Sequence, residues 1–318
     1  MRERGTAVIA LAVDIGGTKF AAAAIDAGGV VHARAEIPLS GSGPAEQTLH
    51  DVVAEITARV PVGRIEGIGV GSAGPLDPVA GTVSPVNIPG WRGFPLTGTL
   101  ERMLPGRPVR LAGDGQCMAL GEWWRGSPGS APSRAMLGMV VSTGVGGGFV
   151  FDGAPYLGQS GNAGHIGHIT VDPGGSPCPC GAIGCVETIA SGPSMVRWAR
   201  DHGWAGDDAK ALAAAAAAGD AVANLAFRRA AGALAIAILT SAALFDLDRV
   251  VIGGGVAAAG PTLFDPLRQA IGENTGLGFL RRLRVDPTRL GRDAGLLGAA
   301  ALVLLQDTRN LPPRSHPR

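Results

Sequence analysis

The sequence predicts an α/β protein built from two lobes of similar layout. Three observations carry this. At 318 residues the chain is long for one compact core, and chains of that size usually divide. Apolar residues make up 46% of it, mostly Ala, Val, Leu and Ile, with aromatics at only 4%, which suits helices packed on parallel strands. One layout also occurs twice: Leu11 to Gly29 and Met139 to Gly153 each give an apolar strand, a small-residue turn with a carboxylate or hydroxyl, a second apolar strand and an Asp-headed turn. Duplicated lobes facing one another across a cleft are the arrangement this predicts.

Taken in order, residues 6–13 form an apolar run that ends at a Gly-rich turn, Asp14 to Thr18. Phe20 to Ile25 is a second run, closed by Asp26-Ala27-Gly28-Gly29, and Val30 to Ile37 is a third. That is a strand–turn–strand–turn–strand meander. Leu49, Val52, Val53, Ile56 and Val60 have helical spacing and predict a helix over 45–60. Ile65 to Val70 and Pro108 to Ala112 read as strands, and the stretch after Asp114 reads as helical. In the second half, Ala-rich helices are expected over roughly 186–200 and 207–245, followed by a strand from Arg249 that runs into a glycine turn and a last helix over 294–306. Gly126 to Arg134 and Arg309 to Arg318 read as flexible. The division expected is a smaller lobe of residues 1–114, to which the helix at about 294–308 returns, and a larger lobe of 115–293 carrying a His/Cys loop at 165–187.

Net charge is +1, from 27 basic and 26 acidic residues, so no electrostatic case exists for nucleic acid or membrane as the main partner. The opening "MRERGTAVIALAV" has the charged start and apolar run of an export signal. The run breaks at Asp14 without a cleavage site, so it is expected to be a strand. The longest apolar stretch, Ala231 to Phe245, is short for a bilayer and reads as a buried helix. A cytoplasmic location is the expectation.

Three turns carry clustered glycines: "DIGGT" (14–18), "STGVGGG" (142–148) and "GGG" (253–255). Each follows an apolar run, where glycines let backbone N–H groups approach a polyphosphate. None has the Gly-Lys-Ser/Thr of a P-loop or sits at a strand-to-helix junction with GxGxxG. Any one of them reads equally as a tight hairpin; all three together favour a nucleotide cleft. Among the carboxylates, Asp14 opens the first turn and Asp114 follows the strand at 108–112. Such a group can act as a general base or reach Mg²⁺ through water; Asp114 reads as well as a helix N-cap.

Three of the four cysteines, Cys178, Cys180 and Cys185, lie in "CPCGAIGC", with His168 ten residues before them. Three thiolates and an imidazole make a closed tetrahedral shell, which points to structural rather than catalytic zinc. The alternative, a disulfide, leaves an odd cysteine, and Cys178 and Cys180 are too close to pair without strain. His165 is left over from the shell, and Glu187, two residues past Cys185, would be held near His168.

The stretches "DIGGTK", "GVGSAGPLD", "PVNIPGW", "STGVGGG", "GHIGHITVDPGGSPCPCGAIGCVETIASG", "VVIGGGV" and "DAGLLGAA" span residues 14 to about 300. They resemble the ROK family (repressors, open reading frames and kinases), whose sugar kinases have a two-lobed actin/hexokinase-like (ribonuclease H-like) fold. The resemblance implies ATP-dependent phosphorylation of a sugar 6-hydroxyl, with Asp114 as catalytic base. It implies that Gly71, Asn87, Gly113, His165, His168 and Glu187 lie at the sugar. Nucleotide binding falls to Asp14, Gly16, Gly17, Thr18, Lys19, Thr143, Gly144, Gly146, Gly254 and Gly255, with Mg²⁺ near Asp14. Structural Zn²⁺ falls to His168, Cys178, Cys180 and Cys185. Within the family, "GHIGH" is similar to N-acetylmannosamine kinases, whereas glucokinases carry Glu where His165 stands. A neutral imidazole offers one donor and one acceptor where a carboxylate only accepts. A second departure is Gly113, where the family has an Asn that contacts the sugar; losing that amide weakens or redirects recognition by about 1–3 kcal/mol. Homodimers or homotetramers are expected by resemblance. A glucokinase, an N-acetylglucosamine kinase and a catalytically weak sugar-binding protein remain as alternatives. A family repressor is disfavoured because only 13 residues precede Asp14, too few for a DNA-binding helix-turn-helix.

Overall fold

The structure is a computed structural model that describes residues 8–39, 44–85, 88, 90–126 and 132–305. The expected flexible stretches fall largely outside these: residues 127–131 and the tail from 306 lie beyond the described set. The chain divides into two compact units. The first has its described residues within Met1–Cys117, Gln159–Asn162 and Asp293–Arg318, and the second within Met118–Gly158 and Ala163–Arg292. The crossing point thus falls inside a helix rather than at Asp114, and four residues of the middle region, Gln159–Asn162, join the first unit.

The first unit opens with the expected meander: β1 (Ile9–Ile15), β2 (Lys19–Asp26) and β3 (Val31–Pro38), paired antiparallel. Helix α1 (Ala45–Thr57) buries Leu49, Val52, Val53 and Ile56, the stripe that its spacing predicts. Then come β4 (Ile65–Ser72), the short hairpin of β5 (Leu76–Asp77) and β6 (Thr82–Val83), α2 (Leu96–Met103), β7 (Val109–Gly113) and α3 (Asp114–Arg125). The main sheet has the order β3-β2-β1-β4-β7, with β1, β4 and β7 parallel. Its core joins Ile9, Leu11, Val13, Ile15, Phe20, Ile65, Ile68 and Val70 of the sheet to Leu49, Val52 and Ile56 of α1.

The second unit repeats this order. β8 (Ala135–Val141), β9 (Val145–Phe151) and β10 (Ala154–Tyr156) form an antiparallel meander. The helical region that sequence periodicity reads as two long helices is four: α4 (Glu187–Ala190), α5 (Gly192–Asp201), α6 (Ala209–Ala217) and α7 (Ala221–Phe245). The breaks have local causes. The hydroxyl of Ser191 caps α5 by accepting from Ser194 N–H, and Asp220 caps α7 by accepting from Ala223 N–H, each satisfying an amide that would otherwise lack a partner. After α7 come β11 (Arg249–Gly253), α8 (Pro261–Asn274) and β12 (Arg284–Pro287), and the sheet order is β10-β9-β8-β11-β12. Strand for strand this matches the first sheet, so the repeat visible in the sequence is a repeat of topology. By length and composition α7 could cross a membrane, yet it is the helix around which this core assembles, burying residues from Ala223 to Ala242.

Helix α9 (Ala294–Leu304) packs on β4 and β1 of the first unit. The approach is close enough to dictate sequence: a Cβ at Gly69 would overlap the carbonyl of Ala299, and one at Gly298 the carbonyl of Cys117. Backbone cannot move aside as a flexible side chain can. Gly69→Ala is therefore expected to destabilise the protein by about 3 kcal/mol or more, read as a lowered denaturation midpoint. Gly232→Ala, where an added Cβ meets nothing within 4 Å on helix α7, is expected to leave the midpoint unchanged or raise it by up to about 1 kcal/mol. Equal losses in the two variants would refute the close-approach account.

Candidate functional site

The strand register builds the first part of the site. Asp14 pairs with Gly71 across β1 and β4, and Gly71 pairs with Ala112 across β4 and β7. Two residues beyond Ala112, Asp114 opens α3. Parallel strands therefore bring Asp14, Gly71, Gly113 and Asp114 to one end of one sheet. Space at Gly71 is tight: a Cβ would stand 3.1 Å from the sulfur of Cys117, with the Cα of Asp114 in ordinary contact at 3.8 Å. Asp114 turns one carboxylate oxygen back to accept from Gly115 N–H at 2.7 Å; it is the first helical residue rather than the cap, which is Gly113, whose N–H is met by Gln116. Burial, and then the negative charge of Asp114, push the Asp14 carboxyl up to about 6, against a smaller opposing pull from Lys19. Cys117, fully buried beneath these carboxylates, has its thiol pushed well above the usual range by burial and by both charges.

The turn between β1 and β2 holds Gly16, Gly17 and Thr18, closed by Gly16 N–H donating to the Lys19 carbonyl at 3.2 Å. The side chain of Lys19 is paired with Glu36 at 2.8 Å. Asn87 lies outside the described residues.

In the second unit the other two glycine turns meet. Val256 N–H donates to the carbonyl of Val141 at 3.0 Å, and Gly254 packs against that same carbonyl, where a Cβ would overlap it. Ser142, Thr143, Gly255 and Val256 consequently line one cavity of about 670 Å³. Its far wall is Arg197, Arg200 and Asp201 from α5 with Asp207 and Asp208 from the loop that leads into α6. Sequence reasoning missed these residues: no short motif contains them, and the two segments meet only because α5 and α6 fold back. Gly146 has open space around it. Gly144 does not, since a Cβ would stand 2.7 Å from the Glu187 carboxylate, which accepts from Val145 N–H at 2.9 Å. Glu187 thus grips the turn that carries Thr143 and Gly144.

The His/Cys loop closes as its composition predicts. The ligand atoms of His168, Cys178, Cys180 and Cys185 all lie within 4.8 Å of one another. Cys180 Sγ stands 3.7 Å from Cys185 Sγ, and Cys178 Sγ stands 3.7 Å from His168 Nδ1. A tetrahedral zinc with bonds of about 2.3 Å to sulfur has edges of about 3.8 Å, so the four atoms are spaced to fit one. No disulfide links them. Gly181 and Gly184 take positive φ values of 95° and 65°, which lets the loop turn back so that Cys178 N–H reaches the Ala182 carbonyl at 2.8 Å. His165 is exposed, its ring 6.0 Å from that of His168.

Two expectations follow. A strong chelator is expected to remove one zinc per chain and expose three further reactive thiols; Cys185→Ala should give metal-free protein with a loosened 165–187 loop. Metal analysis that finds no zinc in protein purified without chelator would refute the assignment. For Asp14 the sign is fixed by the direction of its shift. A carboxyl raised from 3.8 to about 6 penalises the folded state increasingly as pH rises between those values, and fully above them. Asp14→Asn is expected to stabilise the metal-free protein by about 1–3 kcal/mol at pH 7.5, with a smaller gain at pH 5. A gain independent of pH would show that the carboxyl is not strained.

Comparison with known proteins bears on the family and the fold. The chain matches the ROK family over residues 10–306. It is 38% identical to an N-acetylmannosamine kinase of Salmonella arizonae, over 92% of this chain and 97% of that protein. It is 35% identical to a glucokinase of Thermotoga maritima, over 74% of this chain and 78% of that one. In three dimensions it is similar to a ROK family glucokinase of Streptomyces griseus solved in complex with glucose and AMPPNP, with a TM-score of 0.78 and 31% identity over 92% of this chain and 98% of that one. The α/β fold, with its two like-ordered sheets, is the actin-like fold of the ROK hexokinases and glucokinases. The chain belongs to the ROK family.

Proposed function

We propose that the chain is an ATP-dependent kinase for the 6-hydroxyl of a hexose or N-acylhexosamine, with N-acetylmannosamine the preferred acceptor and Asp114 the general base. The observation that carries this reading is the pair of carboxylates, Asp14 and Asp114, at the ends of β1 and β7 on either side of Gly71. Burial and mutual repulsion raise Asp14, and like charges are gathered in this way where chemistry or a cation uses them. In the step proposed, Asp114 takes the hydroxyl proton as the sugar oxygen bonds to the γ-phosphorus of ATP. The bond from that phosphorus to the bridging oxygen breaks, and its electron pair leaves with ADP. Mg²⁺ bound with the nucleotide supplies neutralisation of phosphate charge, and Asp14 is the residue of this chain that would hold it. Backbone amides of the Gly16–Thr18 and Thr143–Gly146 turns serve the phosphates, and the cavity lined by Thr143, Gly255 and Arg197 takes the nucleoside. Lys19 is given a charge-balancing role, since its ammonium already pairs with Glu36.

For the sugar, His165, His168, Gly71, Asn87, Gly113 and Glu187 are the proposed surroundings, stiffened by zinc on His168, Cys178, Cys180 and Cys185. The choice of N-acetylmannosamine rests on "GHIGH" at 164–168 and on the greater coverage by the Salmonella relative. A cytoplasmic homodimer or homotetramer belongs to the same proposal on family resemblance. The test is ADP release against N-acetylmannosamine, N-acetylglucosamine and glucose. Asp114→Ala is expected to lower kcat by about 10²–10⁴-fold while the protein still binds nucleotide. If none of the three sugars supports turnover that this substitution removes, the kinase reading fails.

A further inference from the structure

Gln116 is buried at 3% exposure on the first turn of α3, two residues after Asp114. Both ends of its carboxamide are engaged. Its Oε1 accepts from Gly113 N–H at 2.8 Å, and its Nε2 donates to the carbonyl of Gly161 at 3.3 Å. The first bond is half of a capping box, in which the third helical residue reaches back to the cap amide; the other half is missing because Gly113 has no side chain. The carboxamide lies against the bare Cα of Gly113, where a Cβ would stand 3.4 Å from Oε1. The second bond leaves the helix. Gly161 belongs to Gln159–Asn162, the short segment that joins the first unit although the residues on either side of it belong to the second.

That segment has one further side-chain tie. Asn162 donates to the Leu76 carbonyl at 2.8 Å and accepts from Leu76 N–H at 3.1 Å, standing in for a strand partner of β5. Between the two ties, Gly161 packs so tightly on Pro78 that a Cβ would overlap its ring. The strap is therefore pinned at Asn162 and gripped at Gly161, and the residue that grips it also fixes the backbone from which Asp114 projects. The geometry points to Gln116 as a positioning residue that locks the Asp114 turn and the Gln159–Asn162 strap into one rigid piece. Its effect on turnover rests on Asp114 being the general base; the lock itself does not.

The test compares Gln116→Leu, Asn162→Ala and the double variant in the zinc-loaded enzyme, by hydrogen exchange of the 158–163 amides and by steady-state kinetics. Each single variant should raise exchange in the strap. Each should lower kcat by about tenfold or more, with a smaller change in KM, as expected when a reacting group is misplaced and substrate binding is otherwise intact. Because both act through one lock, the double variant should lose no more than the worse single variant, whereas independent effects would multiply. Gln116→Glu, which keeps an acceptor for Gly113 and loses the donor to Gly161, should also loosen the strap. Losses that multiply, or a Gln116→Leu enzyme with unaltered strap exchange, would overturn the lock. A wild-type protein without kinase activity would sink the function proposed above, while the exchange data would still decide the lock.

Discussion

The first unit depends on holding two carboxylates at one sheet edge against their own repulsion. Parallel pairing of β1, β4 and β7 leaves little choice in this, because the register that pairs Ile15 with Ser72 also pairs Asp14 with Gly71 and carries the chain from Gly71's partner to Asp114. The surrounding core meets the cost. Ile15, Val70 and Leu111 are buried on the same strands, and α9 closes over β4 at a distance that only glycine allows. A fold that stores charge strain at one edge needs rigidity behind it, because a sheet free to splay would relax the pair.

The parts of the protein that were legible in the sequence are those where a local signal is strong. Apolar runs closed by Gly-rich turns mark β1 to β3, and the same signs mark β8 and β9, because a meander is written in contiguous residues. The His/Cys cluster could be read for a similar reason: cysteines are few in this chain, and three within eight residues have little other chemistry available. The break at Gly219-Asp220 was hidden by alanine, whose helix propensity runs through a boundary that a single capping carboxylate decides; the one at Ser191 is signalled by its hydroxyl cap and the Gly192-Pro193 that follows. Helix α8 went unread because Pro266 and Gly272 lie within it, and burial of Leu263, Phe264 and Leu267 overrides both.

The far wall of the cavity at Thr143 and Gly255 was not legible at all. Arg197 and Arg200 come from α5, and Asp207 and Asp208 from the loop that leads into α6, so their meeting depends on how that loop turns back. Arg200 bonds the carbonyl of Gly206 at 2.9 Å and pairs with Asp207 at 3.1 Å, so the wall is partly held by its own polar groups. The strap at Gln159–Asn162 was hidden for the same reason. Its membership of the first unit is settled by partners more than forty residues away, Gln116 and Leu76, and not by anything in its own composition.

The grip of Glu187 on the β8–β9 turn links two stretches of chain that lie far apart in sequence. The carboxylate occupies the volume into which any side chain at position 144 would have to grow, and its oxygen is already committed to the amide of Val145. A side chain at position 144 therefore displaces the Glu187 carboxylate, which as the free end of a flexible side chain can swing aside, but only by giving up its bond to the Val145 amide. The turn accepts a larger residue there at the expense of the tie that fixes its shape.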